Sequence, residues 1–334
     1  MVKRWYCIFL AFCLVSCMSM VEGSYSDTPE GNFQALWEII DTKYCFLEEK
    51  QVDWDGIYRQ YHAKVQELAP CDEYGLFDLL ASMLDSLRDG HVNLYSPFDV
   101  SRNTDWQEGY PANFDAGLLY SEQYLSSDYR MAGGFAYNRI AGGKVGLIRY
   151  ASFSDGFSSL NMAYILNCFK DCKGLIVDLR SNGGGDLEYA RKLAAVFFSE
   201  TRTVGYWQHK TGSGHDDYSP LRPMTVDTAD ISLRWLRPVA VLSNRSAYSA
   251  TNFFLSAIRC ADNARIFGGR SGGGGGMPMS YELPNGWIVR FSSVRMYDAQ
   301  KQSIEDGVLP DEEVNLVSDG KDDIIEAATN WILQ

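Results

Sequence analysis

The sequence predicts an α/β protein with a largely parallel sheet, preceded by a small helical bundle. Three observations carry this. Short apolar runs without alternation, such as "GLIVDLR" (174–180) and "PVAVLSN" (238–244), fit strands buried on both faces. Each run leads into a tight turn and then a stretch of helical spacing, and that order, repeated, builds a parallel sheet. Before residue 90 the apolar residues recur at three- and four-residue spacing instead.

Size and charge set the outer bounds. A chain of 334 residues holds one large domain or two modest ones. Its hydrophobic fraction of 46% and aromatic fraction of 13% fit a packed body rather than a disordered one. The 30 Lys and Arg against 43 Asp and Glu give a net charge of -13. That field repels nucleic acid, and no basic run interrupts it, so a nucleic-acid partner is not expected.

The first residues read as a targeting signal. Lys3 and Arg4 precede an apolar run, Trp5 to Val15, too short to span a bilayer. Leu14-Val15-Ser16-Cys17 then resembles the lipobox of bacterial lipoproteins. That implies a signal peptide over 1–16, lipidation at Cys17 and a place in the bacterial cell envelope. Met18, rather than Asp, after the cysteine points to the outer membrane. An ordinary secretory signal cut near Gly23 is the other reading. Residues 17–32 are expected to be a tether.

The elements follow in order. Phe33, Leu36, Trp37, Ile40 and Tyr44 keep helical spacing. A second helix is expected from Trp54 to Leu68, capped by Asp53, and a third from Tyr74 to Leu87. Together they form a bundle over 33–95. Residues 96–140 are irregular and read as a connector. The core, 141–334, starts with the strand "VGLIRY" and a helix over Gly156 to Phe169. After "GLIVDLR" come the turn "SNGGG" and a helix over Leu187 to Phe198. After "PVAVLSN" come a turn and a helix from Ser249 to Ile258. "ARIFGG" is a further strand, and "MSYELPNGWIVRFSS" a hairpin turning at Asn285-Gly286.

Three of the eight cysteines, Cys7, Cys13 and Cys17, lie in the signal. An oxidising envelope permits pairing of the others, and Cys45 with Cys71, which flank the second helix, is the first pair to test. Cys168 and Cys172 are not a CxxC pair and lack a histidine partner, so no zinc is expected.

Ligands of such sheets bind beyond the carboxyl ends of the strands, where two turns stand out. The first is Ser181 to Gly185. Consecutive glycines allow close backbone approach, and N–H groups at a helix start stabilise developing negative charge. A plain tight turn or a phosphate loop would look the same, although no Walker lysine follows. The second turn carries Ser246 and Ser249. A serine at a helix start is most often a cap, but the same placement suits a nucleophile, with the Ala250 N–H beside it. Of four histidines, His91 lies in a turn after Arg88-Asp89-Gly90, and His62 lies within a helix. His209 and His215 fall in "WQHKTGSGHDD", which reads as a solvated loop. From pattern alone this is a secreted α/β protein with the features of a hydrolase.

Four segments together resemble the tail-specific, or carboxy-terminal processing, serine peptidases, including their tricorn-type branch. "LRDGHVNL" (87–94) is similar to the family's L-x-D-G-H-T/V segment, and "IVDLRSNGGG" (176–185) to its D-L-R-x-N-x-G-G turn. "VAVLSNRSAYSATNFF" (239–254) resembles the nucleophile segment, and "LPNGW…IEDGVLPDEEV" (283–314) the closing motif. They stand in the family's order.

The resemblance implies Ser249 as nucleophile, with Ser246 its competitor, and an oxyanion hole from Gly184 and Ala250 N–H groups, Gly183 being the fallback. One branch uses a lysine base, but no lysine occurs between Ser249 and Lys301. The tricorn-type branch implies His91 as base, aided by Glu305. An imidazole that titrates near neutrality can take a serine proton, and a carboxylate can orient it. That branch often has a serine before the histidine, where this chain has Gly90. Asp306 and Asp89 are therefore alternative orienting acids.

The implied fold is crotonase-like, a β-β-α superhelix closed by the helical segment. Residues 96–140 are too few for the PDZ domain that many members insert. The implied function is a serine endopeptidase acting on peptides or proteins, without metal or cofactor. A flexible Gly272–Gly276 turn is expected to flank its cleft. Two other classes stand beside it: an inactive relative that binds peptides or apolar ligands, and acyl-CoA chemistry on the same fold, which an envelope location disfavours.

Overall fold

The computed structural model describes residues 25–334. The signal, Cys17 and the lipidation expected there lie outside the described residues. Among those residues no helix is long and apolar enough to cross a membrane.

Three helices open the described chain: α1 (Pro29–Lys43), α2 (Trp54–Val65) and α3 (Glu73–Asp85). Each starts at a side chain that accepts an otherwise orphaned N–H: Thr28 from Gly31, Asp53 from Gly56, Asp72 from Gly75. Helix α1 begins within the expected tether, because Thr28 caps it and Pro29 has its ring set for the first turn. Strand β1 (Asn93–Tyr95) follows the bundle.

The expected connector contains a short helix α4 (Ala116–Leu119), then strands β2 (Arg130–Ala132) and β3 (Phe135–Ile140). Next come β4 (Val145–Tyr150), α5 (Ser159–Cys168), β5 (Gly174–Asp178), α6 (Leu187–Ala195), β6 (Arg202–His209) and β7 (Arg222–Val226). The chain ends with β8 (Val239–Ser243), α7 (Ala250–Ile258), β9 (Ala264–Gly268), β10 (Gly276–Glu282), β11 (Ile288–Asp298), β12 (Glu312–Glu313) and α8 (Asp323–Leu333).

A seven-stranded sheet runs β12-β9-β8-β5-β4-β3-β2, parallel from β12 to β4 and antiparallel beyond. Its strands alternate between two cores, as a period of two requires. Leu175, Val177, Val239 and Val241 face α5, α6 and α7. Ile176, Ala240 and Leu242 face Ile324, Ala328 and Ile332 of α8. Each such Leu, Ile or Val side chain, taken from water, contributes about 1.5–3 kcal/mol. This double burial is why the strands read as unbroken apolar runs.

A second, antiparallel sheet joins β1, β11, β6 and β7, with β10 on β11. The helical bundle packs on it: Phe33, Leu36, Phe77 and Leu80 share a core with Val289 and Phe291. Strand β1 leads from the bundle into this sheet, pairing Asn93 with Arg290.

Three readings need correction. Residues 135–140 are a strand of the main sheet rather than connector. Phe135 and Tyr137 face one core and Ala136 and Ile140 the other, but Gly133-Gly134 ahead of them reads as loop. His209 ends a strand, because "RTVGYWQH" pairs with β7 and β11. Cys45 and Cys71 are both free thiols. Cys45 is buried in the bundle core, while Cys71 sits exposed on the surface.

Candidate active site

Two chain segments converge where β8 and β5 end. Buried ion pairs fix the first turn: Arg180 holds Asp178 at 2.7 Å and Asp322, the cap of α8, at 2.8 Å. The turn from Ser181 to Gly185 is thereby tied to both the sheet and α8. The second segment leaves β8 and is pinned on both sides. Tyr248 N–H donates to Asn182 O (3.0 Å), and Ser249 N–H to Gly273 O (2.9 Å).

Ser249 stands at φ 58°, ψ -119°, a region costly for a residue with a Cβ. It occupies the cap position of α7, yet its side chain makes no cap bond. Its Oγ instead lies 2.9 Å from His91 Nε2. Ser246, the competing serine, has no such contact.

His91 is buried, and its main-chain N–H donates to Asp89 Oδ1 at 2.8 Å. Burial pushes its imidazole down to about 4. Arg290 and Lys50 push the same way, against Asp89. The ring is therefore neutral at neutral pH and able to accept a proton. Its Nδ1 lies 3.3 Å from Ser292 Oγ, in the middle of β11.

The carboxylates do not reach the His91 ring. Glu305 Oε2 accepts from Gly275 N–H at 2.8 Å, and Oε1 pairs with Lys50 Nζ at 2.8 Å. Asp89 accepts from Tyr44 OH (2.7 Å) and Tyr248 OH (3.4 Å), and lies 3.8 Å from Lys50 Nζ. Asp306 is exposed at the surface. Two buried carboxylates thus share one ammonium behind the histidine. Burial alone would raise Asp89, but Lys50, His91 and its own hydrogen bonds hold it below its ordinary value. Glu305 receives fewer hydrogen bonds, and burial and the Asp89 charge push it up to about 8 against the pull of Lys50.

The expected oxyanion donors are not equivalent. Ala250 N–H opens α7 and has no partner among the described residues. Gly184 N–H already donates to Asn182 Oδ1 at 2.9 Å. Gly183 is exposed, and its N–H has no partner among the described residues, so it is a free donor next to Gly184. Gly184 serves instead as a close contact, since a Cβ there would stand 2.9 Å from the Ser249 Cβ.

The glycine run 272–276 is a buried wall rather than a flexible flank. A Cβ at Gly273 would fall 1.8 Å from Glu305 O, so only glycine lets the run wrap the Glu305 backbone. Gly90 is explained in the same way: a Cβ there would lie 2.7 Å from Trp106 Nε1 and 3.1 Å from Tyr248 OH. Trp106, from the connector, stacks on Tyr248 at 4.5 Å and fills the space a serine at 90 would need.

Lys50 and Ser292 escaped the sequence reading. Lys50 sits in a charged run after α1 that reads as surface. Ser292 had one visible signal, a small polar residue within an otherwise apolar hairpin strand.

Comparison with known proteins agrees on one family. The family model for peptidase family S41 matches residues 144–314, and that for the tricorn protease C1 domain matches 25–85. The "Probable CtpA-like serine protease" of Staphylococcus aureus strain N315 is 27% identical over 173 residues, 51% of this chain and 33% of that protein. The chain thus spans about a third of the length of the curated relatives it matches. The crystal structure of a candidate peptidase from Parabacteroides merdae superposes with a TM-score of 0.86 at 44% identity, covering 92% of this chain and 97% of that one. Mature CPAF complexed with lactacystin (TM-score 0.67, 12% identity, 91% and 96% covered) shares the fold. So does a lipoprotein from Streptococcus agalactiae (0.57, 16%, 95% and 99%). The chain belongs to peptidase family S41, the family of the CtpA-like serine proteases.

Proposed function

We propose that this protein is a serine endopeptidase of the bacterial cell envelope that cleaves peptides or proteins through an acyl-enzyme, with Ser249 as nucleophile and His91 as general base. The observation that carries the reading is the 2.9 Å contact from His91 Nε2 to Ser249 Oγ, made by an imidazole kept neutral by burial. In the first step His91 Nε2 takes the hydroxyl proton while Oγ bonds to the substrate carbonyl carbon. The resulting oxyanion is held by Ala250 N–H and by Gly183 N–H, since Gly184 N–H is engaged by Asn182. His91 passes its proton to the leaving amine as the C–N bond breaks, and water then hydrolyses the ester by the same route in reverse. Glu305, kept largely protonated by burial and the Asp89 charge, acts in this reading by position: it ties Lys50 and the Gly275 N–H in place beside the site.

The seven-stranded sheet with its helices is read as the crotonase-like core, supported by the parallel run from β4 to β9. The lipid anchor at Cys17, and with it the outer membrane, rests on the N-terminal residues alone.

A fluorophosphonate probe tests the site. Labelling mapped to Ser249, and loss of both labelling and peptide hydrolysis in Ser249→Ala, is the expected result. Hydrolysis undiminished in Ser249→Ala would overturn the proposal.

A further inference from the structure

We infer that Ser292 is a positioning residue for His91: its hydroxyl fixes the imidazole tautomer by accepting a hydrogen bond from Nδ1–H, and keeps that bond when the imidazolium forms. The inference rests on the reading of Ser249 as nucleophile and His91 as base. A base that accepts at Nε2 must carry its proton at Nδ1, so Nδ1–H needs an acceptor. None of the three nearby acids provides one. Asp89 takes the main-chain N–H of His91, Glu305 takes Gly275 N–H and Lys50, and Asp306 is at the surface. The group facing Nδ1 is Ser292 Oγ, at 3.3 Å and fully buried. A hydroxyl has lone pairs to accept and a proton that rotates out of the way.

The surroundings hold this hydroxyl in place. Ser292 lies in the long strand β11, and its carbonyl is tied to Cys45 N–H at 3.0 Å. Gly276, at the start of β10, packs against it: a Cβ there would lie 2.4 Å from both the Cβ and the Oγ of Ser292. The glycine therefore leaves the space the hydroxyl occupies. From the other side no hydroxyl can enter at position 90, because Trp106 and Tyr248 fill that volume. The catalytic pair is thus completed from the antiparallel sheet, by a residue 201 positions away from the histidine.

The test combines tautomer and rate. In the wild-type protein at pH 7, ¹⁵N NMR of the His91 ring should show the proton on Nδ1 and a bare Nε2. In Ser292→Ala the ring should become a tautomer mixture, and kcat should fall about 10- to 100-fold with little change in KM, as expected for loss of one hydrogen bond to a developing charge. A wild-type ring protonated at Nε2 would overturn the inference, and this reading does not depend on the variant folding. So would a Ser292→Ala enzyme of wild-type kcat. If instead Ser249→Ala retains hydrolysis, the reading of the site itself has failed, and the two failures are separately visible.

Discussion

His91 Nε2 and Ser249 Oγ meet at 2.9 Å across 158 residues of chain, the one carried by the turn after the helical bundle, the other by the turn after β8. They act as a unit in the proposed mechanism, so their removal should not be additive. Ser249→Ala and His91→Ala should each lower kcat on the order of 10⁴- to 10⁶-fold, and the double variant should be no worse than either single one. Steady-state kinetics on a peptide substrate checks this.

Burial sets the pH response. With His91 pushed down to about 4, the acid limb of kcat/KM should fall near pH 4 to 5 rather than near the ordinary 6.5. Stability carries the same signature. The unfolded chain binds the His91 proton below about 6.5 and the folded one only below about 4. The contribution is therefore complete above the unfolded value and is lost as pH falls through that window. Its size is roughly 3 kcal/mol. Denaturant melts at pH 7, 5.5 and 4 measure it, and His91→Ala should flatten the trend.

The Lys50 ammonium holds two buried carboxylates. Lys50→Met leaves Asp89 and Glu305 facing each other without a cation, and should destabilise the fold by about 3–5 kcal/mol. Glu305→Gln keeps an acceptor for Gly275 N–H but turns an amide NH2 towards Lys50, which still serves Asp89, so it should cost about 1–3 kcal/mol, less than Lys50→Met. Glu305 is raised in the folded state, so its contribution is present below its unfolded value and is lost as pH rises towards about 8. That loss between about pH 4.5 and 8 should vanish in Glu305→Gln. Thermal unfolding across pH 5 to 9 reads all three.

Ser249 is strained where it stands, at φ 58°. Glycine tolerates that conformation, whereas alanine does not. Ser249→Gly should therefore be more stable than Ser249→Ala by about 1 kcal/mol, with both inactive. Equal melting temperatures would show that the backbone there carries no strain.

Thiol reagents should separate the cysteines by burial. In the native protein Cys71 should react quickly, while Cys45 and Cys172 should react only on unfolding. A Cys45–Cys71 disulfide detected by mass spectrometry would contradict the structure.

Much of the main sheet was legible because its strands are buried on both faces, and a run such as Leu175 to Val177 has no solvent side to interrupt it. The cap Asp53 announced its helix for an equally local reason: the side chain satisfies a nearby N–H. The antiparallel pair β6–β7 was not legible, since its half-exposed residues mix Tyr, Trp, Gln and His without clear alternation.

The sequence by itself determined the α/β class, the three-helix bundle, and the residue types placed at each turn, because propensity, capping and periodicity act over a few residues. Only the tertiary structure decided that His91 faces Ser249, that Ser292 faces His91, and that Lys50 is shared by Asp89 and Glu305. Those contacts join the bundle, the antiparallel sheet and the parallel core. Burial and charge around a side chain are set by whatever packs against it, and no local stretch of sequence encodes that.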